Sequence, residues 1–160
     1  MREDLQRYLG LKDVLRAGWV RTGVVSPESV AAHSWGMAVL ALKLCPPELD
    51  KLRVLELCLV HDLPEVVVGD LTPHDDVSTK AEDERQAMRD LAPEWLPLLD
   101  EYTAQATAEA VFVKSMDKLD MGLQAMKYEQ AQGMELTEFL NSARNAVGEP
   151  FLGLLNEPEE

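Results

Sequence analysis

Residues 54–65 read Val-Leu-Glu-Leu-Cys-Leu-Val-His-Asp-Leu-Pro-Glu. The first seven are almost all apolar, which predicts a helix end that is buried on most sides. His61 and Asp62 follow this run directly, so an imidazole and a carboxylate leave the predicted core together. Both groups bind divalent metal ions well. The stretch therefore predicts a metal site where a buried helix ends.

Two further potential ligands lie far from this pair in the sequence. His33 belongs to an upstream amphipathic segment and Asp117 to a downstream one. A single histidine on an apolar helical stripe is more often a buried core residue than a ligand. Together with His61 and Asp62, however, the set offers two neutral nitrogens and two anionic oxygens. Such a set suits Mn, Fe, Co, Ni, Zn or, less readily, Mg.

The spacing of apolar residues predicts the fold class. Apolar side chains recur every three or four residues along most of the chain, whereas alternation with period two is nearly absent. We therefore expect an all-α protein, a helical bundle with the metal site between its helices. The 160 residues suffice for one domain with a core of its own. We expect that domain over residues 1–150 and a C-terminal tail over 151–160, whose last residues should fray.

Capping and breaking residues predict the bounds of the helices. Ser26 and Pro27 are typical of an N-cap followed by a first-turn proline. Pro73 and its acidic neighbours predict a loop over 70–77 that can close over a ligand. The predicted helices are about 5–17, 26–44, 47–61, 64–69 (short helix or turn), 78–91, 93–99, 104–131 and 136–147.

Composition restricts the kind of partner. The formal net charge of −14 disfavours binding to the phosphate backbone of a long nucleic acid. A single nucleotide can still be captured by a metal and local donors inside a cleft. No signal peptide or membrane-length apolar run is apparent, so we expect a cytoplasmic protein without membrane contact. Two cysteines are too few for a disulfide framework.

The order His33, His61-Asp62, Asp117 resembles that of the HD-domain phosphohydrolases, and the surrounding residues resemble the branch that contains the 5'-deoxynucleotidases. The resemblance implies that His33, His61, Asp62 and Asp117 bind one divalent metal from three different helices. It also implies a homodimer. The matching stretches are Gly18-Trp19-Val20, residues 26–34, residues 59–65, Val68-Gly69-Asp70-Leu71, and residues 112–119 up to Asp117-Lys118-Leu119.

Two acidic residues after the His-Asp pair are the catalytic candidates. Glu65 follows Asp62 by three residues, so both carboxylates share a side if helical geometry continues. Glu65 then acts as general acid or base, or joins Asp70 as a ligand of a second metal. Asp70 can also accept a hydrogen bond from a water or a sugar hydroxyl. Without the His-Asp context, Glu65 would be an ordinary surface residue and Asp70 a helix stop.

The resemblance further implies contacts with the substrate. Trp19 would pack beside the sugar and base, although a tryptophan here could equally belong to the core. Lys114 lies three residues before Asp117 and can neutralise a carboxylate or reach a phosphate. The predicted substrate contacts are Gly18, Trp19, Leu71, Thr72, Pro73 and Lys114.

The chain departs from the family pattern at two positions. Relatives can carry an arginine, associated with selection of deoxyribose, where this chain has Gly18. Arg16 is the residue that could take over its role. Relatives commonly have an acidic residue before the first histidine, where this chain has Ala32. A carboxylate there would orient the imidazole, so we expect its absence to alter the properties of the metal site without abolishing the site. His74 has no counterpart and is predicted to be a loop residue.

The leading hypothesis is a metal-dependent phosphomonoesterase. It would hydrolyse (deoxy)nucleoside 5'-monophosphates to nucleoside and phosphate by attack of a metal-bound water. The alternatives are an HD hydrolase of another phosphate ester (nucleoside triphosphate, cyclic nucleotide or non-nucleotide) and a metal-stapled interaction protein without catalysis. The apolar residues 95–99 and 151–155 either form a dimer interface or fold back onto the same subunit.

Overall fold

The computed structural model describes residues 1–156, which form α-helices and short 3-10 turns. The predicted all-α fold class is confirmed. The helices are α1 (Arg2–Leu9), α2 (Ala17–Arg21), α3 (Val30–Leu44), α4 (Lys51–Val60), α5 (Glu65–Val68), α6 (Lys80–Leu91), α7 (Leu96–Ala104), α8 (Ala108–Gln132) and α9 (Thr137–Ala146). The 3-10 turns are Gly10–Lys12, Pro93–Trp95 and Phe151–Leu155.

The long helix α8 lies at the centre of the bundle and packs against α3, α4 and α9. Met37 of α3, Leu57 of α4 and both Met116 and Leu119 of α8 are fully buried. The three central helices α3, α4 and α8 therefore share one apolar core. Every predicted metal ligand lies on one of these three helices or directly after it.

The prediction of a single helix over residues 5–17 is wrong. Helix α1 ends at Leu9, and the chain then runs alongside the segment before α3. The Val14 carbonyl accepts from the Val30 amide (2.8 Å), and the Arg16 amide donates to the Glu28 carbonyl (3.0 Å). These long-range bonds satisfy backbone groups that a continuous helix would have used. They also carry Arg16 into the interior.

The predicted N-cap at Ser26 is wrong as well. Ser26 has a φ of 53°, and α3 begins only at Val30. Ser29 is the N-cap, and its hydroxyl accepts from the Ala32 amide at 3.1 Å. The Glu28 amide donates to the hydroxyl of Tyr128 on α8 (2.9 Å). The segment before Ser29 is therefore held by a side chain of α8 and is not part of helix α3.

Other bounds shift by a few residues. Helix α4 begins at Lys51 and not near residue 47, because the Asp50 carboxylate caps it by accepting from the amides of Leu52 and Arg53. Helix α7 continues to Ala104 and ends at Gln105, which has the left-handed conformation. Helix α8 consequently starts at Ala108, with Thr107 as its N-cap.

The two apolar runs considered for a dimer interface fold back onto the same subunit. Leu98, Leu99 and Leu155 are buried, and Trp95 and Phe151 pack against the same core. The domain boundary at residue 150 stays a prediction, and residues 157–160 of the predicted tail lie outside the described residues.

Within residues 1–156, every helix is too short or too polar to cross a lipid bilayer.

We predict that Gly122→Ala destabilises the fold by about 1–3 kcal/mol, the cost typical of overpacking. A Cβ at Gly122 of α8 would lie 2.7 Å from Leu155 Cδ2 and 2.9 Å from Ala143 Cβ. In a free helix the same change would stabilise by about 1 kcal/mol. Urea unfolding measures the difference. Gly148→Ala is the control, because a Cβ there meets nothing within 4 Å; a stabilised Gly122→Ala protein would contradict the prediction.

Candidate metal centre

The structure brings the four predicted metal ligands together at the centre of the bundle. His33 comes from α3, His61 and Asp62 directly follow α4, and Asp117 comes from α8. The Nε2 atom of His33 lies 3.1 Å from Asp117 Oδ1 and 3.9 Å from Asp62 Oδ2. The Nε2 atom of His61 lies 3.0 Å from Asp62 Oδ2. Ligand atoms of His33, His61 and Asp62 thus lie within 4.8 Å of one another, and Asp117 joins this group through its contact with His33.

The hydrogen bonding of His61 leaves one ring nitrogen free. Its Nδ1 lies 3.0 Å from the carbonyl oxygen of Cys58, one turn earlier, and a carbonyl can only accept. Nδ1 therefore carries the proton and Nε2 the lone pair. Nε2 is buried and has no hydrogen-bond partner among the described residues, because its geometry towards Asp62 is unsuitable for one. A buried polar atom without a partner costs about 1–3 kcal/mol.

His33 is held on its other side by Asp120, a contact that the sequence analysis missed. Asp120 Oδ2 lies 2.7 Å from His33 Nδ1. The family pattern places an orienting carboxylate before the histidine, where this chain has Ala32, but here the carboxylate comes from α8. The sequence did carry a signal for this contact, because the three-residue spacing of Asp117 and Asp120 puts both on one face of a helix.

The candidate ligands His61, Asp62 and Asp117 open onto a cavity of about 550 Å³, whereas His33 is not among the described residues that line it. Helix α2, the loop after α5, and helices α6 to α9 surround it. Of the predicted site residues, those that line the cavity are His61, Asp62, Asp117, Glu65, Asp70, Gly18, Trp19, Leu71, Thr72, Pro73 and Lys114.

Asp70 ties the cavity loop to the N-terminal segment. Its Oδ2 accepts from the Ala17 amide at 2.6 Å, and its Oδ1 lies 4.0 Å from Arg16 Nη1. Gly69 precedes it with a φ of 78°, a conformation that glycine adopts without strain. Asp70 thus holds the start of α2 against the loop and keeps Arg16 beside the cavity.

Trp19 is a core residue that also borders the cavity. It is only 1% exposed, its indole N–H donates to Glu28 Oε1 (3.0 Å), and its ring lies 4.4 Å from that of Phe139. A Cβ at Gly18 would lie 2.8 Å from Phe139 Cε1, so this glycine lets α2 pack closely against α9. On the loop, the Thr72 hydroxyl and amide both donate to Asp75, which shapes the turn.

Asp117 is surrounded by donors. Lys114 Nζ lies 3.2 Å and Lys118 Nζ 3.4 Å from its Oδ2, and the Tyr102 hydroxyl donates to the same oxygen at 3.3 Å. The sequence analysis found Lys114 but missed Lys118 and Tyr102. Lys118 directly follows Asp117 in the sequence, but the spacing of Tyr102 carried no signal, because it comes from α7.

Comparisons with known proteins identify the family. A model of the HD domain matches residues 10–152. The chain belongs to the HD-domain family. Over 162 residues it is 40% identical to 5'-deoxynucleotidase HDDC2 of Bos taurus, covering 93% of this chain and 79% of that protein.

Solved structures resemble this HD domain over nearly its whole length. The PH0347 protein of Pyrococcus horikoshii superposes with a TM-score of 0.83 at 31% identity, covering 97% of this chain and 95% of that one. A predicted metal-dependent phosphohydrolase of Magnetospirillum magnetotacticum gives a TM-score of 0.74 at 27% identity, covering 96% and 86%.

Membership of the HD-domain family implies a divalent metal, and the residues present fit one. His33, His61 and Asp62 each place a ligand atom within 4.8 Å of the others. The strongest sign is the Nε2 atom of His61, which has no hydrogen-bond partner within residues 1–156 and which a metal ion would satisfy. The set contains no thiolate, which favours a borderline or hard ion.

The electrostatics of the HD-domain site keep both ligand carboxylates ionised. Burial alone would raise the pKa of Asp117, but the hydrogen bond from His33 and the charge of Lys118 hold it well below its usual range. The pKa of Asp62 is also lowered, because its interactions with the two neighbouring imidazoles, those of His61 and His33, outweigh its burial. Burial lowers the pKa of His33, but its hydrogen bonds to Asp117 and Asp120 raise it to about 9.

Glu65 has the opposite environment. It is 2% exposed, its Oε2 has no partner among the described residues, and Lys80 Nζ lies 3.9 Å from its Oε1. Burial, then the charges of Asp62 and Asp70, raise its pKa to about 10. In the metal-free protein this carboxyl group therefore keeps its proton at neutral pH. Lys80 and Glu84 of α6, which also line the cavity, were missed by the sequence analysis.

We predict that Glu65→Gln stabilises the metal-free protein increasingly as the pH rises. The raised pKa of about 10 means that unfolding at any pH above the ordinary value of 4.5 releases a proton from Glu65. The stability contributed by its protonated form is complete below pH 4.5 and is lost as the pH approaches 10. The loss has a slope of up to about 1.4 kcal/mol per pH unit, and the glutamine variant does not share it.

Urea unfolding of the metal-stripped proteins at several pH values between 5 and 9 measures this difference. Glu48→Gln, at an exposed glutamate, is the matched control and should follow the wild type. A constant difference between Glu65→Gln and the wild type would show that Glu65 is already ionised in the folded protein.

Proposed function

We propose that this HD-domain protein is a metal-dependent phosphomonoesterase that hydrolyses deoxynucleoside 5'-monophosphates to nucleoside and inorganic phosphate. The observation that carries the proposal is that His61, Asp62 and Asp117 line the same cavity as Glu65. A structural metal site would need neither that cavity nor a buried carboxyl group beside the ligands. The 5'-deoxynucleotidase names of the curated relatives support the substrate class.

The proposed metal ligands are His33, His61, Asp62 and Asp117. A divalent metal held by these residues would supply the positive charge that makes a water acidic enough to attack phosphorus and that stabilises the phosphoryl oxygens. The protein contributes a rigid frame, because the four side chains lie on or shortly after three packed helices, and those of His33, His61 and Asp117 are each held by a second contact. Mn, Fe, Co, Ni, Zn and Mg are the candidate ions.

Glu65 is proposed to move the proton of the reaction. Its carboxyl group is buried, burial raises its pKa, and one of its oxygens has no partner among the described residues. It can therefore donate to the leaving 5'-oxygen, which would otherwise depart as a strongly basic alkoxide. Asp70 is proposed to act beside it by holding the cavity loop and Arg16 in place.

The cavity supplies cations for a phosphate dianion although the whole protein is acidic. Arg16, Lys80, Lys114 and Lys118 all line it. The charges of Asp62, Asp117 and Asp70 act on the guanidinium of Arg16, whose pKa they raise against its burial. These carboxylates orient the cations towards the reaction centre. We propose that Arg16, not a residue at position 18, contacts the sugar or phosphate.

The apolar wall of the cavity is proposed to hold the sugar and the base. It consists of Trp19 and Phe139 on one side and Leu71 and Pro73 of the loop on another. Such flat or compact apolar surfaces suit a nucleobase, which binds largely by stacking.

The first test is phosphate release by metal-stripped protein that is reconstituted with Mn, Co, Mg or Zn. The substrates are ribo- and deoxyribonucleoside mono- and triphosphates. We expect metal-dependent release from the deoxynucleoside monophosphates. Release from another phosphate ester alone would show that the proposed substrate class is wrong. No release from any substrate would favour a metal-stapled interaction protein.

The second test separates catalysis from metal binding. We expect Glu65→Gln to lower kcat by about 10²- to 10⁴-fold, the range typical of a lost acid or base group. Asp62→Ala should instead weaken metal binding itself, because it removes a ligand. Calorimetric titration with Co²⁺ and steady-state kinetics distinguish the two. Glu48→Gln, far from the cavity, serves as the control, and full activity of Glu65→Gln would remove Glu65 from the mechanism.

The homodimer stays a prediction. The apolar runs first considered for it are used within the subunit, but other large apolar side chains are exposed. On α3 these are Trp35 (68% exposed), Val39 and Leu42, and on α4 they are Leu52 and Leu59. A second copy of the chain would bury such a surface.

A further inference from the structure

His33 lies between two aspartates of the same helix. Asp117 approaches its Nε2 at 3.1 Å, and Asp120, one turn later on α8, approaches its Nδ1 at 2.7 Å. In the metal-free protein the imidazole also donates through Nε2 to Asp117. A metal ion bound at Nε2 would replace that proton, while the proton on Nδ1 would stay bonded to Asp120, so His33 would present to the metal the nitrogen that lies near Asp62 and Asp117.

The approach of Asp120 depends on a glycine of α3. A Cβ added at Gly36, one turn after His33, would overlap Asp120 Oδ1. Glycine inside a helix costs about 1 kcal/mol relative to alanine, so helix stability does not favour it here. Its small size is instead what lets the carboxylate of α8 reach the imidazole of α3.

A second carboxylate stands beside this contact. Glu28 places an oxygen within 4.8 Å of ligand atoms of both His33 and Asp120, and it accepts the indole N–H of Trp19 at 3.0 Å. The three groups could in principle hold a cation, but the 2.7 Å separation of His33 from Asp120 is that of a direct hydrogen bond. Glu28 therefore adds negative charge on the Nδ1 side and favours a proton there.

We propose that Asp120 is a positioning residue of the metal centre, which acts by accepting the Nδ1 proton of His33, and that Gly36 is required because it leaves room for this carboxylate. The inference rests on the proposed ligation of the metal by His33. Asp120 is not among the described residues that line the cavity, so its effect on the reaction passes through His33 and not through the substrate.

The test compares Asp120→Ala, Asp120→Asn and Gly36→Ala with the wild type. Each metal-stripped protein is titrated with Co²⁺ by calorimetry, and the visible spectrum of the Co²⁺ complex reports the ligand geometry. We expect Asp120→Ala to bind Co²⁺ about 10- to 100-fold more weakly, with an altered spectrum, as is typical when the partner of a ligating histidine is lost. The Co²⁺ affinity of Asp120→Asn should lie between those of the wild type and Asp120→Ala, because the amide oxygen still accepts the Nδ1 hydrogen bond but carries no full charge.

Gly36→Ala displaces Asp120 without removing any polar group, so it should weaken Co²⁺ binding in the same direction. Gly153→Ala is its matched control, because a Cβ there meets nothing within 4 Å. Asp13→Asn, at an exposed aspartate, is the control for loss of one negative charge. Both controls should bind Co²⁺ as the wild type does.

Kinetics at saturating Co²⁺ with a deoxynucleoside 5'-monophosphate add a second readout. We expect kcat to fall in Asp120→Ala while KM stays within about twofold, because the cavity wall is unchanged. If Asp120→Ala does not fold, Asp120→Asn and Gly36→Ala decide the result. Wild-type Co²⁺ affinity and spectrum in the folded variants would overturn the proposal. If the wild type releases no phosphate while Co²⁺ affinity still depends on Asp120, the positioning role stands and the proposed nucleotidase function fails.

Discussion

Two imidazoles and two carboxylates are gathered where three helices meet, and burying that much polarity constrains the rest of the structure. A buried charge without partners would cost several kcal/mol. Asp117 is accordingly surrounded by Lys114, Lys118 and the hydroxyl of Tyr102. Helices α3, α4, α7 and α8 must therefore keep their relative positions, because each contributes either a ligand or one of these partners.

The irregular N-terminal segment is explained by the same constraint. In a regular helix over residues 5–17, the guanidinium of Arg16 would lie among other side chains. The pairing of this segment with residues 28–30 instead brings the guanidinium under the influence of Asp62 and Asp70. Asp70 then anchors the segment through the Ala17 amide. The chain gives up regular helical hydrogen bonds in this segment, and the cavity gains the partly buried cation of Arg16.

Helix α8 connects the chemistry with the packing. One turn of it carries Asp117 and Asp120 towards α3, and the next turn carries Gly122 against α9 and Leu155. Two glycines on different helices, Gly36 and Gly122, permit these approaches. The geometry of the metal centre thus depends on small residues that have no chemistry of their own, since interiors are packed too densely to yield to an added methyl group.

The sequence by itself determined the helical class through apolar periodicity, and it marked His61-Asp62 because this pair follows a buried run, whereas His33 and Asp117 were assigned as candidate ligands through the family resemblance. The same local patterns led to a wrong helix through residue 17 and a wrong cap at Ser26. Only the tertiary structure decided that Asp120 supports His33 and that Lys80 of α6 stands beside Glu65. These contacts join residues whose separation along the chain has no periodic signature. Which helix faces meet is decided by packing over the whole core, not by any single segment.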